Sequence, residues 1–257
     1  MVGGLEAVLL LSGFADFLAI LDYGTFEVAE DGREIPIHGY AIGLRDQLIL
    51  VDTGFPGWYY EDSDAAGRAD GLDIFGRLVR IGPENRPRAQ LALLGLDPED
   101  VTELVITHGD IDHVGGIDDF PGATIVLSRN EREGGPPRYF GDVRPLQWPA
   151  AARYRLLDGD EELAPGVGLL VTPGHSPGNL SLLVHLRETG TVVLACDAIS
   201  REAELAMEIN GGATDMDAAR RSAERLVDLA RRDDALLVYG HDPVQRASLR
   251  RAPDVYR

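Results

Sequence analysis

Four residues able to bind a metal ion fall within the six positions from 108 to 113: His108, Asp110, Asp112 and His113, in the string Thr107-His108-Gly109-Asp110-Ile111-Asp112-His113-Val114-Gly115-Gly116. They follow directly on the apolar run Leu104 to Ile106, so a turn at the end of a strand can aim several of them at one place. A lone histidine is most often a surface or satisfied core residue. Two imidazoles and two carboxylates crowded together are different, because they repel or desolvate one another unless a cation compensates. The chemistry this segment offers is therefore metal binding.

Three further candidate ligands sit in turn-like settings. His175 lies in Thr172-Pro173-Gly174-His175-Ser176-Pro177-Gly178, Asp197 ends the run Val192 to Cys196, and His241 follows Val238-Tyr239-Gly240. Each comes just past a β-type run and is flanked by small or turn-forming residues that let the backbone approach an ion. Only His38 and His185 of the six histidines lie elsewhere, and both are assigned structural or surface roles. Cys196 adjoins Asp197, but neighbours on an extended strand point to opposite faces, so it is read as a small core residue if Asp197 faces the metals.

The elements that must position these groups are short and rich in β-formers. Strand-like runs bounded by glycine extend over Ile35 to Leu44, Leu48 to Asp52, Glu103 to Thr107, Thr124 to Leu127, Gly168 to Val171, Leu180 to His185, Thr191 to Ala195 and Ala235 to Tyr239. A helix is predicted from Met216 to Arg231, where Ala219, Ala223, Leu226, Val227 and Ala230 form one stripe behind a cap at Thr214 or Asp215, and a shorter one from Arg88 to Leu94. Leu5 to Leu21 reads as the two strands of a hairpin: it carries Glu6 and Asp16, breaks at Gly13, and has no basic leader. Trp58 to Gly71 and Glu133 to Trp148 resist assignment, and loops of that length read either as functional lids or entrances or as simple surface irregularity. Strands in series with a few helices indicate layered α/β or α+β architecture.

A chain of 257 residues with 44% apolar content can fill one core, so residues 1–257 are taken as one domain. The net charge of -19 would repel nucleic acid and anionic membranes, which favours a small-molecule substrate; oligomeric state is left open. The single cysteine excludes an internal disulfide and gives no reason to propose an oxidising compartment, so a cytoplasmic location is expected.

The ordered set Val51-Asp52-Thr53-Gly54, His108 to His113, Thr172 to Gly178, Cys196-Asp197-Ala198 and Tyr239-Gly240-His241-Asp242 resembles the metallo-β-lactamase superfamily, and within it the N-acyl-homoserine lactonase group. The resemblance implies an α+β fold, a four-layer αββα sandwich with its site at one edge of two facing sheets. It implies two divalent metal ions: His108, Asp110 and His175 on the first, Asp112, His113 and His241 on the second, and Asp197 bridging both. A hydroxide between the ions would be the nucleophile, since a bound cation lowers the pKa of water from about 15.7 towards about 7. Asp197 and Asp112 carry the catalytic roles, Asp112 passing a proton to the leaving oxygen. Asp52 is expected to orient a ligand histidine.

Two positions depart from that pattern. The superfamily signature has a histidine where this chain has Asp110. Three carboxylates and one hydroxide bring two divalent ions to formal neutrality, and an oxygen-rich set favours iron or manganese over zinc. The lactonase group also carries a tyrosine where this chain has Ser200, a shorter and less acidic hydroxyl; Tyr23, Tyr40, Tyr59 and Tyr60 are candidates to replace it. The expected activity is ring-opening of a lactone, an N-acyl-homoserine lactone or similar, with an acyl chain against loop aromatics such as Phe55, Trp58, Tyr59, Tyr139 or Trp148. The alternatives are a thioester or ester hydrolase of the glyoxalase-II type, a phosphodiesterase, and a non-catalytic metal-binding relative.

Overall fold

The architecture follows from strands that are apolar on both faces. In the computed structural model, which describes residues 9–138, 146–206 and 213–257, β1 (Phe17–Val28), β2 (Glu34–Leu44), β3 (Gln47–Val51), β4 (Gly76–Arg80), β5 (Val101–Val105), β6 (Thr124–Ser128) and β7 (Arg153–Leu157) form one sheet in the order β4-β1-β2-β3-β5-β6-β7. A second sheet holds β8 (Glu161–Ala164), β9 (Val167–Val171), β10 (Leu180–Leu186), β11 (Gly190–Cys196) and β12 (Leu236–Tyr239), in the order β12-β11-β10-β9-β8. β1, β2 and β3 pair antiparallel, whereas β3, β5, β6 and β7 run parallel.

Alternation along each strand divides its side chains between two cores. Leu18 and Ile20 of β1, Ile49 and Val51 of β3, and Leu180, Leu182 and Val184 of β10 fill the space between the sheets. Ala19, Leu21 and Tyr23 of β1, with Leu48 and Leu50 of β3, face outward against Ala66 of helix α1 (Ser63–Asp70), Leu91 of α2 (Pro87–Leu93) and Ile111 and Val114 of α3 (Ile111–Val114). On the other side, Leu183, Val193 and Ala195 pack against Ala223, Leu226 and Ala230. Those three residues belong to the long helix that completes the fold as α5, since the short α4 (Arg129–Glu133) precedes it and α5 spans Met216–Arg232. The four layers are the expected αββα sandwich.

Helix α5 lies where its stripe placed it, with the Asp215 carboxylate accepting from Ala218 N–H and Arg231 and Arg232 in the last turn, where their charge suits the helix dipole. The hairpin expected within Leu5 to Leu21, whose residues 5–8 lie outside the described residues, is corrected: residues 17–28 are a single strand, β1, paired with β2 on one side and β4 on the other. Burial on both faces turns an alternating pattern into a continuous apolar run, which hides where the strand continues. Trp58 to Gly71, which resisted assignment, has regular structure. It contains a 3-10 turn over Gly57–Tyr60 and then α1, which the Asp62 carboxylate caps from Ala65 N–H and Gly71 ends in a left-handed conformation. β4, β7 and β8 escaped the sequence reading because they are sheet edges whose exposed positions carry charge, as in Arg153-Tyr154-Arg155. Among the described residues no helix is long and apolar enough to cross a membrane.

The connections that follow β3, β5, β9, β11 and β12 gather at one edge of the sandwich. They carry Asp52, His108 to His113, His175, Asp197 and His241 respectively.

Candidate metal centre

Asp197 stands between two groups of donors. Its Oδ2 lies 3.9 Å from His108 Nε2 and 3.5 Å from His175 Nε2. Its Oδ1 lies 3.5 Å from His113 Nε2 and 3.1 Å from His241 Nε2, which is also 3.2 Å from Oδ2. On the first side Asp110 Oδ2 is 3.4 Å from His108 Nε2 and 3.2 Å from His175 Nε2, and on the second Asp112 Oδ2 is 3.5 Å from His113 Nε2. The sets His108, Asp110 and His175; Asp112, His113 and His241; and His108, His113 and Asp197 each place one donor atom per residue within 4.8 Å of the others. All seven candidate ligands from the sequence thus come together, four of them on or beside the single turn α3 that begins after Asp110.

The remaining ring nitrogens are held from behind. Asp52 Oδ2 lies 2.8 Å from His113 Nδ1, while the same carboxylate accepts from Thr107 N–H and Thr107 Oγ1, both at 2.8 Å. The Pro36 carbonyl, which can only accept, is 2.9 Å from His241 Nδ1, so His241 donates there and its Nε2 is left facing Asp197. His108 Nε2, His113 Nε2 and Asp197 Oδ1 are buried and have no hydrogen-bond partner among the described residues. Buried polar atoms are rarely left so, and several aimed at one point fit divalent cations, which imidazole nitrogens and carboxylates bind well.

Electrostatics tell the same story. Burial pulls the His113 imidazole down, yet Asp112, Asp52 and Asp197 hold it well above the ordinary histidine range. Burial also opposes protonation of His241, but Asp197 and Asp112 lift it to about 9. Conversely, burial would raise Asp197, and the imidazoles of His241, His113, His108 and His175 hold it well below the usual carboxylate range. Without ions, this is a site whose carboxylates draw protons onto its imidazoles.

Local backbone geometry is adapted to these positions. Asp52 and Cys196, at the ends of β3 and β11, have φ of 59° and 48°, left-handed values that cost about 1–2 kcal/mol in residues with a Cβ. Cys196 is therefore not extended as the strand argument assumed, but its side chain still packs in the core between the sheets. Gly174, before His175, is at φ 137°, and a Cβ there would meet the Ala219 backbone nitrogen at 2.2 Å. Only glycine lets the His175 loop lie on α5.

Two functional residues escaped the sequence reading. Glu131 of α4 is buried, and its Oε1 accepts from Gly109 N–H at 2.8 Å while Oε2 accepts from Ser176 Oγ at 2.7 Å and Gly178 N–H at 3.0 Å. One carboxylate ties the His108–Asp110 loop to the His175 loop. The available signal, Ser128 three residues ahead, marks a helix start, and Ser128 Oγ does accept from Glu131 N–H. The second is Arg138, whose guanidinium clasps Asp110: Nε is against Oδ1, and Nη2 lies 3.0 Å from Oδ2. Its backbone N–H donates to the Gly109 carbonyl at 2.7 Å.

A cavity of about 550 Å³ opens onto Asp110, Asp112 and Arg138, with apolar walls that include Phe26, Ile37 and Phe55. Phe55, one of the expected aromatics, is a wall residue; Trp58 and Trp148 line a different cavity, Tyr59 a third, and Tyr139 lies outside the described residues. The four tyrosines proposed to replace the missing phenol do not line this cavity. Tyr23 instead donates to the Asp52 carbonyl at 3.2 Å, Tyr40 packs between the sheets, and Tyr59 and Tyr60 pack under the outer helices. Ser200 meets the site through its backbone, its carbonyl accepting from His241 N–H at 2.8 Å. His38 is buried beside His241, whereas His185 sits partly exposed on β10.

Comparison with known proteins gives a consistent result. The family model described as the metallo-beta-lactamase superfamily matches residues 32–241. The chain is 30% identical over 224 residues to the N-acyl homoserine lactonase AiiA of Bacillus thuringiensis subsp. kurstaki, covering 86% of each chain. It is 36% identical over 236 residues to the N-acyl homoserine lactonase AttM of Azorhizobium caulinodans, covering 87% of this chain and 88% of the relative. It also resembles a solved N-acyl homoserine lactone hydrolase with the product N-hexanoyl-L-homoserine bound at its catalytic metal center, at a TM-score of 0.80 and 27% identity, over 95% of this chain and all of that one.

Proposed function

This chain belongs to the metallo-beta-lactamase superfamily, and on that footing we propose that it opens the ring of an acylated lactone at a site holding two divalent metal ions. The observation that carries the proposal is the pair of donor groups on either side of the Asp197 carboxylate, His108 and His175 near Oδ2, His113 near Oδ1 and His241 near both, at the end of an apolar cavity. His108, Asp110 and His175 would hold one ion and Asp112, His113 and His241 the other, with Asp197 shared. When bound, the ions supply Lewis acidity for the carbonyl and leaving oxygens and bring the ionisation of water into the neutral range.

The protein's own groups do the rest. Asp52, Thr107 and the Pro36 carbonyl fix the ring planes of His113 and His241, so each Nε2 is aimed before any ion arrives. The walls at Phe26, Ile37 and Phe55 take the acyl chain out of water and hold the lactone ring at the charged end of the cavity. Asp112 presents Oδ2 to His113, which leaves its Oδ1 to take the proton that the attacking water gives up and pass it to the leaving oxygen as the ring C–O bond breaks. The related lactonases named above, at about 30% identity over most of the chain, support the choice of a lactone with an acyl substituent.

The metal expectation is narrower than composition suggested. Arg138 offsets the charge that Asp110 adds, so the preference for iron or manganese rests on the hardness of the carboxylate donors alone. The deciding experiment is a panel of lactones, esters and thioesters with the metal-loaded protein. Turnover of acylated lactones, abolished in His113→Ala and Asp197→Ala together with bound metal, is the expected result. Silence on every lactone with turnover of a thioester would assign it instead as a thioester hydrolase.

A further inference from the structure

We propose that Asp110 and Arg138 act as one unit in the first ligand group, the guanidinium cancelling the carboxylate's charge so that the pair stands where a neutral donor would serve. The proposal rests on the metal-centre reading above. Asp110 Oδ2 is the oxygen that faces His108 Nε2 and His175 Nε2. Arg138 pairs with this carboxylate, its Nε lying against the other oxygen and its Nη2 donating to Oδ2 at 3.0 Å, and Nη2 also lies 3.3 Å from His175 Nε2. Although the Arg138 side chain is 42% exposed, it is not a drifting surface arginine. Its backbone is bridged to Asp110, and its N–H is bonded to the Gly109 carbonyl.

The pairing has a consequence that neither residue has alone. A guanidinium a few ångströms from a divalent ion repels it unless a carboxylate lies between them. Asp110 without Arg138 makes the group more negative and grips a cation harder. A neutral residue at 110 with Arg138 still present leaves two cations facing each other. Arg138 is thus a positioning residue acting through Asp110.

The test uses the full chain with zinc alone, and separately manganese alone, titrated against a chromophoric chelator to obtain the affinity of each group. Arg138→Met should bind the first ion about tenfold more tightly, the screened value for losing a half-exposed neighbouring charge. Arg138→Lys keeps the charge and should stay within about threefold of wild type. Asp110→His should weaken the first ion about tenfold or more, and adding Arg138→Met to it should restore binding to within about threefold. The ion held by Asp112, His113 and His241 should change little throughout. Should Asp110→His fail to fold, the Met and Lys variants at 138 still decide, since they must differ. Equal affinities for Arg138→Met and Arg138→Lys, or equal effects of Asp110→His with and without Arg138, would overturn the pairing while leaving the metal-centre reading intact. A wild-type protein that takes up no ion would overturn that reading, and the pairing with it.

Discussion

Asp52 Oδ2 and His113 Nδ1 lie 2.8 Å apart although 61 residues separate them in the chain, and the same carboxylate also receives both the backbone and side-chain donors of Thr107. The loop after β3 thereby fixes the loop after β5. Asp52→Ala should lower the affinity of the second ion by about 10–100-fold, because an imidazole without its outer partner loses both orientation and basicity. Isothermal titration of metal-free protein measures this, and an unchanged second affinity would show that Asp52 serves the fold alone.

Glu131 holds the two loops of the first group together with three hydrogen bonds to a buried carboxylate. Glu131→Ala leaves the Gly109 and Gly178 N–H groups without a partner, and should cost about 3 kcal/mol in denaturant unfolding. It should also weaken the first ion more than the second, since His108, Asp110 and His175 lie on the loops it joins. Equal loss at both ions would point to general loosening rather than to this tie.

The pH dependence follows from His241, which Asp197 and Asp112 lift against burial from 6.5 to about 9. A group whose pKa is raised in the folded state stabilises the metal-free protein fully below its unfolded value and loses that contribution as pH rises through the folded one. The melting temperature of metal-free protein should therefore fall between pH 6.5 and about 9. Ions must displace the same protons, so metal affinity should rise across that window. Paired melting curves with and without chelator check both, and parallel curves would contradict the coupling.

Phe75 is half-exposed at the rim of the cavity that opens onto Asp110 and Asp112. Phe75→Ala removes apolar wall at the exposed rim, so it should raise KM about fivefold for a ten-carbon acyl lactone, roughly 1 kcal/mol of lost contact, and change a four-carbon substrate little. Steady-state kinetics on the two chain lengths decide. A common fall in kcat for both would mean that this wall shapes the metal centre instead.

How far the sequence was legible depends on how local each signal is. His108, Asp110, Asp112 and His113 announce themselves because one turn carries all four, and the helix stripe from Ala219 to Ala230 has a period that nothing else produces. Asp62 and Gly71 were equally local signals for α1, but the aromatic run before them obscured the boundary. Arg138 and Glu131 were illegible for a different reason. Each acts only by meeting a residue more than 20 positions away, Asp110 in one case and Gly109 with Gly178 in the other. The charge count for the site took Asp110 without Arg138, the cation that the fold brings beside it. The tyrosines were misjudged because a hydroxyl's availability depends on which core its strand or turn faces, and all four face inward.

The most direct test of the central claim is elemental analysis of freshly purified protein, scored per chain and paired with lactone turnover on the same sample. The account predicts about two equivalents of divalent metal, with iron or manganese present, and lactone turnover that disappears on chelation and returns on adding metal back. One equivalent or none, with no turnover after metal is restored, would contradict a hydrolytic pair of ions shared across Asp197.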